Sequence, residues 1–251
     1  MAKSALLTGF IALAFLMGTA HATFSGGDQN AVNQFQAGQW TPRHVKLVGT
    51  ASCASSITDV VTVTASVAVG NTLVVRLTTR DGASTAMTAS DSKGNSYTLD
   101  GLADNSKIDY AIFSARVTTA LVSGDTITVG HAGNTKATFM RVDEFADIAD
   151  ANRVYSSTTS TGNGTSSSVS SSLPTGNALA IGGVGVKDAV TLSAPGGWTI
   201  LNNGSVSCDR SDLSSAAGYL VSSGSGTAVF STSWSAKKDY STAIVVYRGS
   251  F

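Results

Sequence analysis

Histidine is almost missing from this chain. There are three in 251 residues, and His21 lies in an apolar leader, which leaves His44 and His131. No Ser-His-Asp arrangement can be assembled from them, and there is no HExxH, no CxxC and no phosphate loop. His44 reads as a surface residue and His131 as a turn residue. Cysteine is as scarce, with two. Neither Cys53 nor Cys208 has a His or another Cys close by, which argues against a metal site or a thiol nucleophile. Charged residues are 13% of the chain, about half the usual share, and 16 Lys and Arg stand against 16 Asp and Glu. A nucleic-acid binder needs a basic stripe that displaces counterions from phosphates, and none is visible, so no nucleic-acid partner is expected. The same balance leaves little repulsion to keep copies apart.

Long apolar runs are missing after the first 22 residues. The start, MAKSALLTGF IALAFLMGTA HA, sets one positive charge at Lys3 before an apolar run from Ala5 to Met17 and ends on Ala20-His21-Ala22. That is the pattern of a secretory signal peptide, residues 1–22, cut after Ala22. The run is about 13 residues where a spanning helix needs about 20, and no later stretch approaches that length. The mature chain is therefore expected outside the cell or at its surface, without a membrane span. Export makes a Cys53–Cys208 disulfide chemically open; two free thiols or bonds between subunits are the alternatives.

What the chain does contain is a repeat. After the leader, one block of about a hundred residues occurs twice. Val48, Val63, Gly70, Asn71 and Leu73 answer at a constant offset to Val154, Val169, Gly176, Asn177 and Leu179. The copies span residues 45–146 and 153–251, with 147–152 as a link and 23–44 as an N-terminal extension that has no counterpart, either extended or with a short helix near 28–36. Thr58 to Val69 alternates at period two, Leu73 to Thr79 is a β run, and Asp91-Ser92-Lys93-Gly94-Asn95 is a turn signal. No amphipathic helix of useful length occurs in either copy. Short strands with turns every eight to twelve residues or so indicate an all-β fold of two tandem antiparallel sandwiches. The Ser/Thr run Ser156 to Ser172 has the composition of a linker. The repeat overlays it on Thr50 to Ser66, so it is expected to be a weak outer strand at a sheet edge.

The order Gly70-Asn71-Thr72-Leu73-Val74-Val75, then Asp91 to Thr98, then Tyr110 to Phe113, then Gly124 to Val129 resembles a jelly-roll-type sandwich repeat of exported bacterial surface proteins and phage tail or fibre proteins. The resemblance covers most of residues 45–249 and is clearer in the first copy. It implies a fold, and a surface, adhesion or assembly role. It carries no catalytic signature.

Asp91, Asp100, Asp104 and Asp109, with Asn95 and Asn105, offer hard oxygen ligands of the kind that suit calcium. Their spacing departs from the DxDxNG loop, and the second copy has only Asp209 and Asp212 nearby. Solvated turn residues beside Lys93 and Lys107 are the simpler reading, and no cofactor is expected. Asp143 and Glu144 are neighbours on a strand and point to opposite faces, which does not make a carboxylate pair across a cleft. Tyr97 and Trp198 share a repeat position and are expected in the core. Trp234, in the polar stretch Ser231 to Ala236, is the candidate for an exposed platform that stacks on sugars, together with Tyr240. Asn163-Gly164-Thr165 and Asn203-Gly204-Ser205 are glycosylation sequons by pattern. Phe24, Phe35 and Trp40 mark the extension as a candidate strand donor to a neighbour's open sheet edge. The expected function is a non-enzymatic structural subunit of an extracellular filament, sheath or surface layer, joined by that donation. A carbohydrate-binding or adhesion module is the alternative. The expected partners are further copies of the chain or glycans at a cell surface.

Overall fold

Among the described residues, eight strands form the first half: β1 Arg43–Ser52, β2 Thr58–Thr62, β3 Thr72–Arg80, β4 Thr88–Asp91, β5 Tyr97–Asn105, β6 Ile108–Arg116, β7 Thr126–Gly130 and β8 Ala137–Ala146. Five make up the second: β9 Val154–Leu173, β10 Ala178–Lys187, β11 Thr199–Cys208, β12 Ser211–Ser222 and β13 Gly226–Arg248. A computed structural model describes residues 40–53, 57–81, 86–133, 135–150, 153–209 and 211–250, and among them there is no helix. The fold is all-β and antiparallel throughout, as expected.

In the first half, β1-β8-β3-β6-β5 form one sheet and β2-β7-β4 a smaller one. First pairs with last, second with seventh, third with sixth. This is the outcome of rolling one long antiparallel ribbon up on itself, the connectivity of a jelly roll. In the second half the order β9-β13-β10-β12-β11 repeats the large sheet strand for strand. The difference is that β9 combines the equivalents of β1 and β2, and β13 those of β7 and β8. Val154–Gly164 pairs with Lys238–Tyr247, and Ser166–Leu173 pairs with Gly226–Ser233, with a register break between Ser233 and Lys238. The equivalent of β4 shrinks to a single bridge between Leu192 and Trp234.

Each half has its own core. Leu73, Val75 and Leu77 of β3 meet Val61, Ile127 and Val129 in the first. Ala180, Val184 and Val186 of β10 meet Trp198, Phe230 and Trp234 in the second. A third apolar layer lies between the halves, where Val74, Tyr110, Ile112 and Phe145 meet Leu179, Ile181, Val245 and Tyr247. β3 and β10 are buried along nearly their whole length, because a strand that is apolar on both faces has to be covered on both. Residues 39–251 consequently form one compact unit.

The two large sheets stack with opposed strand orders. β8 lies over β11 and β12, β3 over β10 and β12, and β5 over β13 and β9. Each half presents the same face to the other, the arrangement of a two-fold dimer made within one chain. Close approach depends on β10. A Cβ on Gly183 would strike Tyr110 of the first half, one on Gly185 would strike Thr78, and one on Gly182, on the opposite face, would strike Phe230.

Two sequence-based boundaries shift. β1 begins at Arg43, so the last two residues of the expected extension belong to the first sheet. The expected link is not a bare tether, since Ile148 is buried in the shared layer and bridges Gly249. Cys208 ends β11. The repeat match also slips by one residue in the middle. Gly70 and Gly176 both take positive φ, 91° and 100°, but Leu73 faces its own core while Leu179 faces the shared layer. A one-residue slip turns every side chain to the other face, and a strand that is apolar on both faces hides the slip from the sequence.

Candidate functional site: the seam and the β9 edge

The polar groups buried at the seam converge on Asp143 of β8. Its carboxylate is fully buried and accepts from Arg76 Nη2, from Arg141 Nε at 2.9 Å and Nη2 at 3.0 Å, and from His44 Nε2 at 2.9 Å. Arg76 also reaches across the seam to Asn202 Oδ1 at 2.6 Å. The His44 ring sits between Phe145 and Tyr219, with centroids 5.1 and 5.6 Å away, so it is a seam residue and not the surface residue expected. Burial pushes the Asp143 carboxyl up, but Arg76, His44 and Arg141 outweigh it and hold the group well below the usual carboxylate range. Such a carboxylate does not take up a proton near neutral pH, so the cluster fastens the layers and offers no general base.

His131 is also buried, where the sequence implied a plain turn. Its Nε2 lies 3.2 Å from Asp59 Oδ2 and its Nδ1 lies 2.8 Å from Gly133 O, while Thr138 Oγ1 donates to the other Asp59 oxygen. The bond to Asp59 raises the histidine pKa against the opposing effect of burial. With both ring nitrogens engaged, the imidazole has no free position from which to activate the Thr138 hydroxyl.

The acidic residues considered for calcium are scattered by the fold. Asp91 clamps its own turn, accepting from Lys93 N at 2.8 Å, Asn95 Nδ2 at 2.9 Å and Tyr97 OH at 3.0 Å. Asp100 lies at the seam and accepts from Ser114 Oγ and Tyr247 OH. Burial raises its pKa, and those two hydrogen bonds oppose the rise. Asp104 and Asp109 face each other across the β5–β6 hairpin. Burial first, and then the adjoining Asp104, push Asp109 up to about 7. At the tip of that hairpin, Asn105 Nδ2 donates to Gly162 O and Tyr240 O of the second half, both at 3.2 Å. Among the described residues no three His, Cys, Asp or Glu side chains are grouped to hold a metal ion.

The platform reading of Trp234 is corrected, and Tyr240 is half-buried against the second core beside it. Trp234 is 6% exposed, donates its indole N–H to Gly164 O at 2.9 Å and meets Tyr240 edge-on at 5.5 Å. Ala228, Phe230, Thr232 and Trp234 are alternate residues of β13 that turn inward. The same alternation is present in the sequence, but the inward polar Thr232 and the outward apolar Val229 masked it. Trp198 is in the core as expected, packed edge-on against Phe230 with its indole N–H on Val229 O. Tyr97 is half-buried against the first core. Cys53 and Cys208 form a disulfide that joins the end of β1 to the end of β11 across the seam.

Of the three donor-segment residues, Phe24 and Phe35 lie outside the described residues. Trp40 is 64% exposed, and its N–H donates to Ser250 O at 3.0 Å. Asn177 Nδ2 donates to Thr41 Oγ1 at 3.3 Å. The described chain therefore starts beside the C-terminus, where β10 begins and β13 ends.

The Ser/Thr run is β9, and it does lie at a sheet edge. It spans 20 residues and contains neither a charged residue nor a proline. Hydroxyls close the gap between its two arms, with Ser156 Oγ donating to Ser172 O and Ser171 Oγ to Ser156 Oγ. In comparisons with known proteins, no family model, no curated protein and no solved structure matches the chain.

Proposed function

We propose that this protein is an exported, non-enzymatic structural subunit of an extracellular assembly such as a filament, sheath or surface layer, whose copies join by strand addition. The observation that carries this reading is the β9 edge. Folded proteins ordinarily blunt an exposed edge with charge, proline or shortness, and β9 uses none of these devices along 20 residues. The near-neutral composition adds no repulsion between copies. The disulfide and the shared layer join the two halves into one compact building block. The ionisable clusters described above also serve packing, since Asp143 and Asp59 accept from neighbouring Arg, His and Thr side chains. The adhesion alternative loses its main support with the burial of Trp234. Negative-stain microscopy of the mature protein, residues 23–251, over a range of concentrations tests the proposal. Regular filaments or sheets are expected. Isolated particles at every concentration would overturn it.

A further inference from the structure

Resting on the structural-subunit reading, we infer that Val154–Thr161 of β9 is the acceptor edge for residues 23–39 of a neighbouring copy, which add to the second sheet as a sixth strand.

The acceptor is bounded by the structure. Val154 to Thr161 pair on one side with β13, and β9 ends the sheet order. Beyond Thr161 the edge is interrupted, because Gly162 O accepts from Asn105 and Gly164 O from Trp234. The eight residues of the acceptor extend about 26 Å. The side chains of Tyr155, Ser157, Thr158, Thr159 and Thr161 are exposed. Tyr155, held under the Arg248 guanidinium at 4.5 Å, supplies an apolar spot at the start of the ladder.

The occupant is set by length, position and charge. Residues 23–39 number 17 and contain one charged residue, Asp28, and no proline, so nothing in them blocks a backbone ladder. Fully extended they reach about 56 Å, enough to pair over eight residues and still leave a tether of about 30 Å to a second body. They join the folded unit at Trp40, whose N–H is tied to Ser250, close to where Arg248 N–H bonds Arg153 O and β9 begins. The point where the donor joins the chain and the start of the acceptor thus both lie at the end of β13. Pairing is by main-chain hydrogen bonds, as in other strand additions, and Phe24 and Phe35 are the side chains available to dock against the sheet.

The test is hydrogen exchange on the mature full chain, residues 23–251, dilute and concentrated, alongside the double variant Thr159→Lys/Thr161→Lys. Amides of residues 154–161 should exchange about tenfold slower or more in the assembled sample than in the dilute one. The double variant should stay monomeric with an unchanged melting temperature, since both positions are exposed. Particles that form while residues 154–161 exchange at the dilute rate, or a variant that assembles like the parent, would overturn the acceptor assignment and leave the structural-subunit reading standing. Full protection already present in the dilute monomer would assign the edge to the chain's own segment and also overturn it. A parent chain that never assembles would remove both readings.

Discussion

Tyr110 of β6 and Gly183 of β10 meet face to face across the seam, and the glycine leaves the space that the phenol ring fills. Three glycines within four residues, Gly182, Gly183 and Gly185, would weaken an ordinary strand. Here they set how closely two twisted sheets approach. Replacing Gly183 with Ala should cost about 1–3 kcal/mol through overpacking, read from urea denaturation. Gly204→Ala, where an added Cβ meets nothing within 4 Å, should stay within about 0.5 kcal/mol. Equal effects at the two positions would show that the seam is looser than described.

Arg76 and Asp143 form an ion pair almost without solvent, 3% and 0% exposed at the side chain. Removing Asp143 leaves the Arg76 guanidinium buried without its carboxylate, whereas removing Arg76 leaves Asp143 still paired with Arg141 and His44. Asp143→Leu should therefore destabilise by about 3–5 kcal/mol, and Arg76→Met with Asp143→Leu should recover part of the loss, since Arg141 and His44 still lack their acceptor. A double-mutant cycle by denaturant titration reads the coupling. An additive double variant would count against direct pairing.

Asp109 gives a pH dependence of defined sign. Its folded pKa, about 7, is above the ordinary value of 3.8, so the folded state holds a proton that the unfolded chain has released. Stability from this group is complete below about pH 4 and falls as pH rises, until it is gone above about pH 7. Asp104, Thr79 and Asn105 surround the carboxyl, and His131 is near enough to feel its charge. Asp109→Asn should flatten the stability profile between pH 4 and 7 and leave the variant more stable than the parent at pH 8. Thermal melts across that range check it, and an unchanged slope would refute the assignment. Asp143 works in the opposite direction. Its pKa is depressed, so its contribution is present at neutral pH and is lost only as strong acid protonates it.

The Cys53–Cys208 bond closes a loop with a sequence separation of 155. Constraint of the unfolded chain is worth about 2–5 kcal/mol for loops of this kind. Denaturation with and without reductant should show a loss in that range. Cys53→Ser with Cys208→Ser should match the reduced protein, because the bond lies at the ends of β1 and β11 and not inside a core.

The legible part of this protein was local. Period-two patterning located the strands, and the repeat recovered β9 from a composition that resembles a linker. Gly70, Gly94, Gly124, Gly176 and Gly197 take the positive φ that turns require. The illegible part began where strands were covered on both faces. β3 and β10 show no alternation, so neither the shared layer nor the opposite facing of Leu73 and Leu179 could be read from them. Trp234 was misplaced because an inward position of β13 beside it, Thr232, is polar and an outward one, Val229, is apolar. The ion cluster on Asp143 joins residues 44, 76, 141 and 143, and no spacing rule connects them.

The sequence by itself determined strand content, turn positions, the doubled unit and the open, uncharged character of β9, because these follow from backbone preference and side-chain type over a few residues. Tertiary structure alone decided that the two units share a buried layer with opposed strand orders, that His44 is half-buried between Phe145 and Tyr219 and His131 buried beside Asp59, and that Cys53 meets Cys208. Those outcomes depend on which faces of two finished sheets fit together, and the fit is a property of the packed surfaces and not of any one stretch of chain.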